Sequence, residues 1–232
     1  MVYVGNYSVP QNFAKVGMIL SQDCAGGALM PLSDADLCRI VARSYTKVTW
    51  WIGELSALYT LYTGVGGGRV IAIPGTKHEI GEWLRDFDAW PVWDRQLGIC
   101  HRGFRDGARQ LWRSSPLASM DFGGAIIAGH SLGGALALLL AGILIAERTP
   151  PAAVVTFGAP RCGSWKLRRL LSPIAVRSYR NGDDPVPEVP WLPGIYVHPR
   201  PQIEIGTPAP DPIADHHIGA YEMAVGAYEG QP

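Results

Sequence analysis

The stretch Ala125-Ile-Ile-Ala-Gly129-His130-Ser131-Leu132-Gly133-Gly134-Ala135 decides the fold of this chain. The apolar run at its start fits a buried parallel strand, and the uncharged apolar run over 135–146 fits a core helix. Gly129 and Gly133 flank the serine, because a tight strand-to-helix turn leaves almost no room for side chains there. The pattern therefore predicts a nucleophile elbow, which exposes the Ser131 hydroxyl beside the Leu132 amide and the helix N-terminus.

Strands and helices alternate along much of the chain. The predicted strands are 55–62, 69–73, 125–128, 153–157 and 174–179, and the predicted helices are 34–49, 104–112, 132–147, 164–171 and 217–228. A glycine-rich segment at 64–68 joins the first two strands, which predicts an antiparallel hairpin. The later alternation predicts a mostly parallel sheet with helices on both faces. The proline-rich segment 185–212 is expected to be extended, with a strand near 195–197.

The chemistry of an activated serine requires two partners elsewhere in the sequence. A serine hydroxyl is a poor nucleophile at neutral pH, so it needs a base within hydrogen-bond reach and a carboxylate that orients the base. Asp183 and Asp184 follow the predicted strand 174–179, where an acid could orient a base, although aspartates at such a place also cap turns. The histidines beyond them are His198, His216 and His217.

Seven ordered segments resemble the class 3 lipase family, which includes the fungal triacylglycerol lipases. They are 70–76, 82–86, 101–104, the elbow itself, 156–161, 181–187 and 215–216. The resemblance extends from about residue 55 to the C-terminus. It implies an α/β-hydrolase, with a mostly parallel sheet, helices on both faces and a nucleophile elbow.

The resemblance also selects among the candidate site residues. The family's Asp-x-Val-Pro pattern matches Asp184, and its Asp-His segment before a terminal helix matches His216, with Tyr221 at the corresponding distance. Ser131, Asp184 and His216 are therefore the implied catalytic residues. For the oxyanion, Leu132 would supply one backbone amide, and the resemblance implies Thr76 as the second donor. No metal or cofactor is implied.

The segment 77–93 is a candidate lid. In the resembling lipases a short amphipathic helix here covers the serine and moves away at a lipid surface. The apolar residues are spaced as one face of such a helix, at Ile80, Trp83, Leu84 and Phe87. Such a stripe also fits a fixed helix packed on its own domain, so a mobile lid and a static cover are both consistent with the sequence.

Composition limits the class of protein and its partners. The length of 232 residues and the 47% hydrophobic content fit a single α/β-hydrolase domain over 1–232. Lysine plus arginine equals aspartate plus glutamate at 20 each, so the charge does not favour a nucleic acid. The four cysteines show no metal-binding or redox spacing. Residues 1–10 lack the features of a secretory signal, which predicts a cytoplasmic protein or one released without a recognisable signal peptide.

These patterns predict a serine carboxylic ester hydrolase, a lipase or esterase, that acts through an acyl-Ser131 intermediate. Lipid esters are the expected substrates because of the family resemblance, with transient contact to a lipid interface. Two alternatives stay open: an acyltransferase that uses the same three residues, and a non-catalytic binding protein with the same fold. The oligomeric state is not determined by these patterns.

Overall fold

The computed structural model describes residues 32–46, 50–52, 57–63, 69–76, 89–114 and 123–230. Its strands are β1 Trp50–Ile52, β2 Ala57–Thr63, β3 Arg69–Ile73, β4 Pro91–Asp94, β5 Gly98–His101, β6 Ile126–His130, β7 Ala153–Phe157, β8 Ala175–Asn181 and β9 Ile203–Ile205. Its helices are α1 Asp34–Ser44, α2 Arg102–Ser114, α3 Leu132–Ala146, α4 Trp165–Leu170, α5 Pro212–Asp215 and α6 Ile218–Glu229, with a 3-10 turn at Val186–Glu188.

Within these ranges the strands form a seven-stranded sheet in the order β1-β2-β3-β6-β7-β8-β9. The strands β1, β2 and β3 are antiparallel to one another, whereas each pair from β3 to β9 is parallel. The hairpin of β2 and β3 confirms the prediction from the glycine-rich segment. The parallel order brings the carboxyl ends of β6, β7 and β8 to one edge of the sheet, where ligands bind in open α/β sheets.

Helices cover both faces of this sheet, as the alternation predicts. Side chains of a strand alternate between the two faces, so Ile71 and Ile127 pack with α2 and α3, whereas Ala72 and Ala128 pack with α1 and α6. Most of α3 is buried, because it lies between the sheet and α2. The predicted core helix is therefore confirmed. No helix in the described ranges is both long and apolar enough to cross a membrane.

Several element boundaries differ from the sequence predictions. The first helix ends at Ser44 rather than at 49, and Ser33 is its N-cap, which forms a capping box with Asp36. The prediction of a strand near 195–197 is wrong, since in this stretch the described structure has one isolated bridge, between Val197 and Gly163. The sheet is instead extended by β9, which pairs in parallel with β8.

Three free cysteines lie in the described part of the chain. Cys38, Cys100 and Cys162 are all buried and none forms a disulfide there. Burial raises the pKa of each thiol, to about 12 for Cys100. A buried thiol with a raised pKa is a small apolar core residue rather than a nucleophile. The fourth cysteine of the sequence, Cys24, lies outside the described residues.

Candidate active site

Ser131 occupies the elbow between β6 and α3 in a strained backbone conformation. Its φ of 56° and ψ of −128° are rare for any residue with a side chain, and its amide donates to the Phe157 carbonyl at 2.9 Å. A Cβ on Gly129 would lie 2.3 Å from the Gly133 carbonyl oxygen, and one on Gly133 would lie 2.1 Å from the Ile73 carbonyl oxygen. Both glycines are therefore sterically required, as the sequence pattern predicts.

Asp184 lies in the turn after β8 and is fully buried. Its Oδ1 accepts a hydrogen bond from the Val186 amide at 2.9 Å. Its Oδ2 accepts from the Tyr221 hydroxyl at 2.6 Å and lies 2.8 Å from His216 Nδ1. Burial, followed by the Asp184 charge, raises the pKa of Tyr221 well above its ordinary value, so the phenol keeps its proton and donates it. The carboxylate is thus held in one orientation toward the imidazole.

His216 lies at the end of α5 and has no exposed surface. Since a carboxylate accepts hydrogen bonds, His216 Nδ1 donates to Asp184, which leaves Nε2 as the ring atom that accepts a proton. This Nε2 is buried and has no hydrogen-bond partner among the residues that the structure describes. The neighbouring His217 is the N-cap of α6 and is exposed. Of the two adjacent histidines, His216 is therefore the one paired with an acid.

Gly158 marks the point where the three candidates meet. It follows Phe157, whose carbonyl accepts from Ser131, and it adopts a φ of +60°. A Cβ there would lie 2.8 Å from Asp184 Oδ2 and 3.0 Å from the His216 ring. Ser131, Asp184 and His216 thus lie around the carboxyl ends of β6, β7 and β8. In this structure the Ser131 hydroxyl makes no hydrogen bond to His216 Nε2.

The loop after β3 lies against the elbow. A Cβ on Gly75 would be only 2.8 Å from Ser131 Cβ, so the backbone of this loop passes directly beside the serine. Thr76 follows Gly75 and is half-buried. Leu132 is the first residue of α3, where a backbone N–H has no acceptor within its own helix. Both predicted oxyanion donors therefore belong to segments that adjoin Ser131.

Two side chains near the elbow have roles that sequence reasoning missed. His130 precedes Ser131, and its Nε2 lies 2.8 Å from the His216 carbonyl oxygen. Its Nδ1 lies 2.5 Å from the hydroxyl of Tyr45, which also accepts from the Gly75 amide at 2.8 Å. Tyr45 lies at the end of α1, 85 positions before its histidine partner, so no local pattern could have revealed the contact.

The predicted lid is only partly covered by the structure. Ile80, Trp83, Leu84 and Phe87 all lie outside the described residues. The last three residues of the segment, 91–93, belong to β4, which pairs with β5 in a two-stranded sheet. Trp90 and Trp93, near the end of the segment, are 59% and 68% exposed. Within the described ranges no cluster of histidine, cysteine or acidic side chains is placed to hold a metal ion.

The fold and the strained serine at the edge of the parallel sheet define the class as an α/β-hydrolase. The model of the lipase (class 3) family matches residues 70–193, more than half of the chain. The chain belongs to the class 3 lipase family. The match includes the elbow, the loop with Thr76 and the turn with Asp184, and it ends before His216.

Sequence relatives match parts of the chain. The secreted mono- and diacylglycerol lipase A of Penicillium camembertii is 33% identical over 84 residues, covering 36% of this chain and 28% of the relative. Lipase ZK262.3 of Caenorhabditis elegans is 28% identical over 138 residues, covering 56% of this chain and 38% of the relative. The chain thus matches less than two fifths of the length of either relative.

Solved structures share the fold at low sequence identity. The lipase from Rhizopus microsporus var. chinensis has a TM-score of 0.60 and 20% identity, covering 75% of this chain and 71% of that one. The native Rhizomucor miehei lipase propeptide complex has a TM-score of 0.57 and 23% identity, covering 73% of this chain and 63% of that one. These similarities identify the α/β-hydrolase fold.

Proposed function

We propose that this protein is a serine carboxylic ester hydrolase that cleaves lipid esters through an acyl-Ser131 intermediate. The observation that carries the proposal is the fully buried hydrogen bond between Asp184 Oδ2 and His216 Nδ1 at 2.8 Å, next to the strained elbow. This bond holds the imidazole in the tautomer whose free Nε2 can take a proton. The family of the chain supports the same chemistry.

The proposed reaction is a double displacement. His216 Nε2 takes the proton of the Ser131 hydroxyl as the oxygen attacks the ester carbonyl, and the resulting imidazolium returns the proton to the leaving alcohol. Water then attacks the acyl-enzyme by the same route and releases the fatty acid. The Leu132 amide and the Thr76 donor would bind the oxyanion in both steps. The hydrogen bond between the Ser131 hydroxyl and His216 Nε2 would form on substrate binding, since catalytic hydrogen bonds often tighten only in the complex.

The substrate class is proposed from the relatives. The relative from Penicillium camembertii is named as a mono- and diacylglycerol lipase, which supports partial glycerides as the first substrates to assay. The exposed Trp90 and Trp93 support contact with a lipid surface, since tryptophan favours the boundary between lipid and water. We further propose that residues 1–232 form one domain, which limited proteolysis tests. The location expected from the sequence stays a prediction that cell fractionation tests.

Covalent labelling is the direct test of the mechanism. An organophosphonate should inactivate the protein and add to the peptide that contains Ser131, as mass spectrometry would show. Ser131→Ala should abolish both labelling and hydrolysis of p-nitrophenyl esters, while Ser164→Ala, which changes the N-cap residue of α4, should retain both. Full hydrolysis by Ser131→Ala would reject the proposal. Assays on mono-, di- and triglycerides and phospholipids, with added alcohols as acyl acceptors, would then separate lipase, phospholipase and acyltransferase activity.

A further inference from the structure

The side chain of His130 forms the centre of a buried chain of hydrogen bonds behind the proposed active site. Only 3% of the residue is exposed, and both ring nitrogens have partners. One partner is the backbone carbonyl of His216, at 2.8 Å from Nε2, and the other is the Tyr45 hydroxyl, at 2.5 Å from Nδ1. The Tyr45 hydroxyl in turn accepts from the Gly75 amide at 2.8 Å. The chain therefore connects two segments that adjoin Ser131 from different sides.

The chemistry of the partners fixes the direction of every hydrogen bond. A carbonyl oxygen only accepts, so His130 Nε2 carries a proton and donates it to His216. Nδ1 of the neutral ring is then an acceptor, which requires the Tyr45 O–H to donate to it. The Tyr45 oxygen keeps its lone pairs for the Gly75 N–H. The four groups form one consistent series from the Gly75 amide to the His216 carbonyl.

We propose that Tyr45 and His130 are positioning residues, which hold the loop of Gly75 and Thr76 and the backbone of His216 in register about Ser131. The proposal rests on the proposed ester hydrolysis. At one end, the backbone of Gly75 lies against Ser131 and leads directly to Thr76. At the other end, the restrained carbonyl belongs to the residue whose ring is the proposed base. A displacement of about 1 Å in either group costs up to about a hundredfold in rate.

The surroundings keep His130 in the required neutral form. Burial, followed by the adjacent His216, lowers the pKa of His130 well below its ordinary value. Burial also raises the pKa of Tyr45, so its hydroxyl keeps the proton that it donates. The His216 ring lies 4.8 Å from the His130 ring and the Tyr221 ring lies 5.7 Å from it. The series of donors and acceptors therefore stays intact across the pH range in which His216 must act.

The test compares variants of the full chain on a soluble ester, p-nitrophenyl butyrate. Tyr45→Phe removes the hydroxyl between His130 and Gly75, and His130→Leu removes both ring nitrogens. His130→Gln keeps a side-chain N–H that can donate to the His216 carbonyl. Tyr179→Phe is the matched control, because it removes a buried hydroxyl that donates to Asp34 at 2.6 Å, away from the site. Phosphonate titration counts the folded sites, so that kcat refers only to native protein.

We expect Tyr45→Phe and His130→Leu each to lower kcat by about 10- to 100-fold, with KM changed by less than about threefold. The double variant should be no slower than the slower single variant, because both changes interrupt one series. His130→Gln should regain at least about fivefold in kcat over His130→Leu. Tyr179→Phe should lower Tm while leaving kcat within about twofold of the original chain.

Two results would overturn the inference alone. One is a kcat within about twofold of the original chain for Tyr45→Phe or His130→Leu once folded sites are counted. The other is a double variant whose loss equals the product of the single losses, since independent effects multiply. If His130→Leu does not fold, the kcat of Tyr45→Phe alone decides, with the same twofold limit. An original chain that hydrolyses no ester would instead reject the proposed function, and the inference with it.

Discussion

Neighbouring residues of the same type have different surroundings at the proposed site. Asp183 and Asp184 are adjacent, but the Asp183 residue is exposed and the Asp184 carboxylate is fully buried among donors from Val186, Tyr221 and His216. A buried carboxylate with three donors is held in one orientation, whereas an exposed one is not. The geometry therefore distinguishes the two aspartates more sharply than the sequence pattern does.

Asp184→Asn should lower kcat by about 10³- to 10⁴-fold, because an amide at this position no longer favours the tautomer of His216 with a free Nε2. Steady-state kinetics on p-nitrophenyl butyrate measure the effect. Asp183→Asn changes an exposed side chain one position away, and its kcat should stay within about threefold of that of the original chain. Equal losses in the two variants would contradict the assignment of the acid.

The adjacent histidines allow a parallel experiment at the same scale. His216→Ala removes the proposed base and should cost about 10⁴-fold or more in kcat, since the members of such a unit act together. His217→Ala changes an exposed helix N-cap that makes no side-chain cap hydrogen bond and should have little effect. A large loss in His217→Ala with an active His216→Ala would show that the base is assigned one residue too early.

At the scale of elements, two helices contain glycines in opposite environments. Within α6, a Cβ on Gly226 would have no described atom outside its own helix within 4 Å, so this glycine only adds flexibility to the unfolded chain. Within α3, a Cβ on Gly134 would lie 2.6 Å from Ala159 Cβ, which belongs to the loop after β7. Gly226 therefore lowers the helix propensity of α6 without a packing benefit, whereas Gly134 permits α3 to pack closely against the loop after β7.

Gly226→Ala should therefore raise the free energy of unfolding by about 0.5–1 kcal/mol. Gly134→Ala should lower it by about 1–3 kcal/mol, because the added methyl group overpacks the contact with Ala159. Urea denaturation followed by circular dichroism measures both. A stabilised Gly134→Ala would show that the loop after β7 moves away at little cost.

The hairpin of β4 and β5 is tied to α2 by one carboxylate. Asp94 accepts from the amides of Gln96 and Leu97 in the turn, at 2.9 and 3.1 Å, and from Arg109 Nε at 2.8 Å. Burial alone would raise the pKa of Asp94, but the Leu97 amide, Arg109 and the Gln96 amide outweigh it and lower that pKa. The folded pKa thus lies below the unfolded value of about 3.9. The stabilisation is complete above that value and is lost as the pH falls through the folded pKa.

Asp94→Asn should lower the free energy of unfolding by about 1–3 kcal/mol at pH 7. The difference from the original chain should shrink as the pH falls below the unfolded value of about 3.9 and through the lower folded pKa, where the carboxylate of the original chain also becomes neutral. Asp106→Asn is the control, since this exposed carboxylate pairs only with Arg105 on the surface of α2. A difference that is constant from pH 7 to pH 3 would contradict the lowered pKa.

At the scale of the whole molecule, the proposed hydrolysis of lipid esters requires contact with a lipid surface. The apolar stripe of Ile80, Trp83, Leu84 and Phe87 predicts either a mobile lid or a static cover, and the described residues do not include it. A mobile lid would expose apolar surface to lipid and uncover the elbow in one movement. A static cover would make the enzyme indifferent to whether its substrate is dispersed or aggregated.

A mobile lid predicts a rise in specific activity as an ester passes its solubility limit. Trp83→Ala should reduce this rise more than it reduces hydrolysis of the dissolved ester. Trp165→Ala is the control, because Trp165 is an exposed tryptophan of α4, 56% accessible and lying over Arg168 rather than in the stripe. Simple saturation across the limit, with Trp83→Ala affecting both forms of substrate equally, would establish a static cover.

The sequence by itself determined the elbow, the family, and the central parallel strands with the helices between them. These features depend on short-range patterns: glycines where a turn has no space, apolar runs that fit buried strands and one uncharged helix. In the proline-rich segment the sequence predicted a strand near 195–197, whereas the structure has the strand at β9. This strand has three residues and pairs with β8, and so short a strand has no clear pattern of its own in the sequence.

Only the tertiary structure decided which side chains act together. The pairing of Asp184 with His216 spans 32 positions, and that of Tyr45 with His130 spans 85, so each exists only once the sheet and its covering helices have formed. Burial then fixes the orientation of each side chain and the tautomer of each histidine, because no water competes for the hydrogen bonds. A pattern of residue types in the sequence does not contain this information. This is why Tyr45 is only one residue of the predicted helix 34–49 in the sequence, and lies beside the proposed active site in the fold.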